Sequence, residues 1–193
     1  MTPAPEIDPT PEIDPPWEPP LAGTDGEQIV AALDRQRATL RWKADGLDAA
    51  GLSDRIGSST LTLGGLLKHL ALVEDYYSST RLHGTPLDTR WDEVVADEDS
   101  DFAPSESPEE LYALYDETVA TARRRYAEAI AEGGCDQAVH MGIPEVGHAN
   151  LRRLLLDLLE EYGRHTGHAD LLRESVDGRV GEDPDPAWTL PWA

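Results

Sequence analysis

"LRRLLLDLLEEYGRHTGHADLLRESVDG", residues 151–178, is the stretch whose reading decides the fold. Leu151, Leu155, Leu158, Tyr162, His165, Ala169 and Leu172 recur at steps of three and four. That is the period of a helix burying one apolar stripe. His165 sits in the middle of the stripe. At about 100° per residue, Glu161 lies roughly 40° to one side of it and His168 about 60° to the same side. A leucine-rich helix therefore carries a patch of ionisable groups where burial is costly unless a partner, solvent or a metal ion binds them.

Three further helices extend outward from this one. "TLGGLLKHLALVEDYY" from residue 62 places Leu63, Leu66, Leu67, Leu70, Val73 and Tyr77 on one face and predicts a helix running to about Leu82. Gly64 and Gly65 weaken its first turn but allow another backbone to approach. Ile29, Leu33, Leu40 and Ala44 mark an earlier helix, capped at Thr24 or Asp25 and stopped at Gly46. "SPEE" at 107–110 reads as a capping box opening a helix that carries Leu111, Tyr115, Val119, Ala122, Tyr126 and Ile130 to Gly133. No segment has a convincing strand pattern. The expectation is an all-α protein, a four-helix bundle with long connections.

The division expected is a Pro-rich acidic tail over 1–20, a body over 21–181 and an irregular tail over 182–193. The first twenty residues hold more than half of the fifteen prolines and repeat "PEIDP". Trp17 is a candidate anchor for the end of that tail. The acidic connection between Leu82 and Ser107 is long enough to act as a lid or to be packed by Trp91 and Phe102.

Sixteen Lys and Arg against 38 Asp and Glu leave a formal charge of −22, which disfavours nucleic acid and anionic membranes as partners. No apolar run is long enough to span a bilayer, and no signal peptide is visible. A single cysteine, Cys135, fits a reducing interior, so a cytoplasmic location is expected. Cys135 has no visible cation beside it to activate it. His83, His140 and His148 fall in connections and are expected to be exposed.

His69, flanked at i−3 and i+4 by Leu66 and Val73, points towards the same core as the patch on the last helix. One His from one helix, with a His and a carboxylate or second His from another, suits a three-ligand N/O metal site with an open position. The alternative is a buried Glu161–His165 hydrogen bond with His69 satisfied separately.

"EPPLAG" from 18, "LDRQRATLRWKADGL" from 33, "TLGGLLKHLALVEDYY" from 62 and the segment from 160 together resemble the DinB-like superfamily. The closest resemblance is to its actinobacterial branch of mycothiol-dependent S-transferases and maleylpyruvate isomerases. The resemblance implies a four-helix bundle, often dimeric, holding a divalent metal on a His of the second helix and two residues four apart on the last. Carried over, these are His69, Glu161 and His165. Many relatives have His in place of Glu161, and His168 can replace or assist it. Zinc is the first expectation, with nickel or iron as alternatives.

The activity implied is thiol S-transfer or thiol-assisted isomerisation, with mycothiol as cosubstrate and a small electrophile as its partner. Metal-dependent hydrolysis and a non-catalytic, small-molecule-binding or stress-response role are the alternatives.

Overall fold

The computed structural model describes residues 17–96, 104–185 and 187–192. The "PEIDP" repeats and Phe102 lie outside them. The first long helix, α1 (Asp25–Ala44), starts at a capping box in which the Thr24 backbone N–H donates to Glu27 at 2.7 Å. A four-residue helix, α2 (Ala49–Leu52), follows and is capped by Asp48. Next comes α3 (Leu63–Asp75), opened by Thr62, whose hydroxyl accepts from the Gly65 N–H at 3.0 Å. A Cβ on Gly64 would sit 3.1 Å from the Leu52 carbonyl oxygen, so Gly64 serves the close backbone approach expected of the double glycine.

The helix predicted to run to Leu82 does not stay α-helical. It widens after Asp75 into a π-helical segment, Tyr76–Arg81. A single 3-10 turn (Thr89–Trp91) leads into α4 (Asp92–Ala96), with Trp91 buried and donating its indole N–H to Asp75 at 2.9 Å. The long helix α5 (Pro108–Gly133) opens on the Ser107–Glu110 capping box and ends at Gly134, φ 66°.

Two short antiparallel strands then correct the strand-free expectation: β1 (Ala138–Ile143) and β2 (Gly147–Asn150). The fold is thus mostly helical, with six α-helices and one hairpin among the described residues. The hairpin seats against the far end of the π-helical segment. There Gly84 (φ +71°) leaves no room for a Cβ, which would lie 2.7 Å from the His140 ring. Finally α6 (Leu151–Asp177) is capped by Asn150 and closed by Gly178 in the left-handed region.

The four long helices share one core. α6 packs on α1 and α3, and α3 also packs on α5 and α1. Leu33, Leu66, Leu70, Tyr115, Val119, Leu155, Leu158 and Tyr162 are fully buried in it. An ion pair crosses this core. The Arg37 guanidinium on α1 donates from Nε and Nη2 to both oxygens of Glu74 on α3, at 2.6 and 2.8 Å. Both side chains are completely buried. Arg37 lies about 6 Å from the Tyr126 and Tyr162 rings, and the Tyr162 hydroxyl meets that of Tyr115 at 3.0 Å. Burial works against the Arg37 charge, yet Glu74 and Asp34 hold the guanidinium pKa well above its ordinary value.

The chain beyond α6 packs against the body. Thr39 donates to the Glu182 carbonyl at 2.9 Å, and Trp192 is buried with its ring against Tyr115. Trp17 is likewise buried, edge-on to Trp188.

Breaking a buried pair by removing one partner costs roughly 3–5 kcal/mol, because the other charge is left uncompensated. Glu74→Ala is therefore expected to lower unfolding stability by that amount in a urea titration. Arg164→Ala, which removes only an exposed pair with Glu160, should leave the midpoint where it is.

Candidate metal centre

The helical period of α3 and α6 brings His69 and the Glu161–His165 pair to the same seam. Glu161 Oε1 lies 3.1 Å from His69 Nε2 and 3.1 Å from His165 Nε2. The imidazole rings meet edge to face with centroids 4.8 Å apart. One potential ligand atom from each of the three residues falls within 4.8 Å of the other two. His165 is buried; His69 and Glu161 are partly exposed, at 13% and 30% of their side chains. The cluster thus has a closed side against the core and an open side towards solvent.

His168 lies elsewhere around the ring. Its Nδ1 approaches His165 Nδ1 at 3.4 Å, on the opposite edge of the imidazole from the nitrogen that faces Glu161. The structure therefore gathers His69, Glu161 and His165 and places His168 behind His165. Gly167 does not open onto this seam but lines a separate groove between α1 and α6, together with Gly163 and Thr166. Asp170 pairs with Lys43 at 2.9 Å, and Arg164 pairs with Glu160 on the surface.

The electrostatics prepare the donors. Burial is the largest influence on Glu161 and raises its pKa, but the hydrogen bond from His69 and the charges of His165 and His69 outweigh it, so its carboxyl titrates below the ordinary value. Burial, then the neighbouring His69, pushes the His165 imidazolium below its usual pKa. At neutral pH the two therefore favour an ionised carboxylate and a neutral imidazole, the forms that donate lone pairs to a cation.

Ligands on a tetrahedral zinc at 2.0–2.1 Å stand about 3.3 Å from one another. The two 3.1 Å separations around Glu161 Oε1 are close to that value, and all three atoms lie within 4.8 Å of one another, so the donor set suits a divalent ion once the two imidazoles close on it. Without an ion, the same geometry is a hydrogen-bonded His–Glu–His triad in which both Nε2 atoms carry protons.

A family model described as Mycothiol-S-transferase matches residues 28–178. The chain belongs to that family. No curated protein matches it. The match takes in α3, α5 and α6 whole and all but the first turn of α1, and both segments that supply the His–Glu–His cluster lie inside it.

Several other side chains are placed differently from a sequence reading. His140 and His148 are exposed as expected but stand on the hairpin strands, 6.4 Å apart between ring centroids. Cys135 has a cation after all, Arg152, but burial outweighs it and raises the thiol pKa, which leaves a poor nucleophile. Asp157 and Arg81 were not foreseen. Asp157 stands one turn before Glu161 on α6, a spacing that could have flagged it. Burial raises the Tyr77 hydroxyl pKa; Arg81 opposes this, while Asp157 and Glu161 reinforce it. No helix among the described residues is long and apolar enough to cross a membrane.

Wild-type protein equilibrated with Zn²⁺ and then dialysed is expected to retain about one ion per chain. His69→Ala and His165→Ala should each lose it while keeping the helical circular-dichroism signal. Equal metal content in all three proteins would mean that the triad is held by hydrogen bonds alone.

Proposed function

We propose that this protein is a metal-dependent S-transferase, or thiol-assisted isomerase, that joins mycothiol to a small electrophile. The observation that carries the reading is the convergence of His69, Glu161 and His165 on one seam, in a chain of the Mycothiol-S-transferase family. In this reading the helices form a DinB-like four-helix bundle over 21–181. The protein is cytoplasmic and pairs as a homodimer. His69, Glu161 and His165 hold the divalent ion, zinc first, and His168 supports His165 from behind.

Two neutral imidazoles and one carboxylate leave a divalent ion net positive, and a thiol bound there is deprotonated. The residues of the chain do the rest. Leu66 and Leu158, one turn before His69 and Glu161 on their helices, are fully buried and close the core side of the site to water. Glu161 meets both Nε2 atoms through one oxygen and so holds the two rings turned towards a common point. In the transfer the thiol gives up its proton to water at the open side of the site, and its sulfur forms a C–S bond to the electrophilic carbon. The electron pair of the broken bond leaves with the displaced group, or remains on the acceptor in an addition. The net charge of −22 agrees with a sugar-conjugated thiol that carries no phosphate.

Metal-loaded protein given mycothiol and monochlorobimane is expected to form the fluorescent conjugate faster than the uncatalysed mixture, and His69→Ala should return the rate to background. Turnover of an ester or amide substrate at a rate independent of added thiol would assign water, not thiol, as the nucleophile.

A further inference from the structure

A groove of about 720 Å³ lies between the π-helical segment and the hairpin. Tyr76, Thr80 and Arg81 form one wall, Met141 and Val146 of the hairpin the other, and Arg153 and Asp157 of α6 the floor. Its position relative to the His–Glu–His cluster follows from the helices. Tyr76 stands two turns beyond His69, and Asp157 and Arg153 stand one and two turns before Glu161. The Tyr77 ring lies under the Arg81 guanidinium at 4.4 Å, and Asp157, which lines the groove, precedes Glu161 by one turn of α6, so groove and cluster follow one another along the same helices.

The charges of the groove do not cancel. Asp157 is taken by Arg153 at 2.6 Å. Arg81 has no carboxylate partner among the described residues. Its guanidinium lies 5.2 and 4.4 Å from the Tyr76 and Tyr77 ring centres and donates to the Met141 sulfur at 3.2 Å, a weak acceptor. In a chain with 38 acidic and 16 basic residues, an arginine left without an acid, half-buried and held over two rings, is an open anion site. The rim around it is apolar: Ile143 and Val146 are 66% and 79% exposed, with Tyr76 beside them.

We infer that this groove binds an apolar carboxylate, with the carboxylate on Arg81 and the apolar body against Tyr76, Ile143 and Val146. Taken with the proposed transfer reaction, on which this further step rests, that molecule is the electrophilic substrate, and its reactive carbon points along the seam towards Glu161. Thus Arg81 is the specificity residue and the hairpin the wall that selects apolar bodies.

The test uses metal-free, full-length protein, so that a carboxylate cannot bind through an ion, and titrates 4-phenylbutyrate by calorimetry. Wild type is expected to bind it, Arg81→Gln at least tenfold more weakly, and Arg81→Lys in between. The neutral 4-phenylbutyramide should bind as weakly to wild type as the acid does to Arg81→Gln. Absence of binding to wild type, an Arg81→Gln Kd within twofold of wild type, or equal binding of acid and amide would each overturn the site. Arg81→Lys keeps the charge and guards against a folding defect in Arg81→Gln. His69→Ala, which removes the metal cluster, should bind 4-phenylbutyrate as wild type does. Arg81-dependent binding without thiol transfer in the loaded enzyme would therefore sink the proposed reaction and leave this site standing, whereas transfer without Arg81 dependence would do the reverse.

Discussion

The Arg37–Glu74 pair is the constraint on which the arrangement of helices depends. Two charges with no access to water are tolerated only when each satisfies the other in a fixed geometry, and here the match is bidentate. α1 and α3 can therefore slide past one another very little without stranding a charge in the core. Asp75, the next residue on α3, is tied by Trp91 and by Arg125 of α5 at 3.0 Å. With α1 on one side and α5 on the other, α3 is clamped near its C-terminal end, between the turn that carries His69 and the segment that widens.

That clamp matters because His69 must meet residues presented by a different helix. α6 is held in turn by Arg173, which is buried and donates to the carbonyls of Lys43 and Asp45, both at 2.8 Å. These are carbonyls left open at the end of α1, so one guanidinium both closes α1 and fixes the register of α6 against it. The 3.1 Å approaches of Glu161 to two imidazoles are the product of these two anchors, neither of which touches the cluster.

Much of this was legible in the sequence, and for clear reasons. Helix periods and caps are local, so Thr24, Ser107 and the stripe on α6 declare themselves. The inward placement of His69, Glu161 and His165 follows from their leucine neighbours. The hairpin was not legible: Val139, Met141 and Ile143 do alternate, but the strands are short and mostly exposed, and the turn passes through Glu145 with φ 68° instead of a glycine. Arg37 and Glu74 lie 37 residues apart on separate helices, and no local pattern says that they meet. The described part of the expected lid region holds a 3-10 turn and α4, with Trp91 and Val94 buried.

The widened segment Tyr76–Arg81 also bears on phase. In an unbroken α-helix, twelve residues separate two side chains by about 120° around the axis, which would carry Arg81 well away from the direction of His69. Fitting roughly one extra residue into the turn takes back about 100° of that rotation. The irregularity thus acts as a gear tooth: it brings the guanidinium into line with the imidazole three turns earlier, along one edge of one continuous helix.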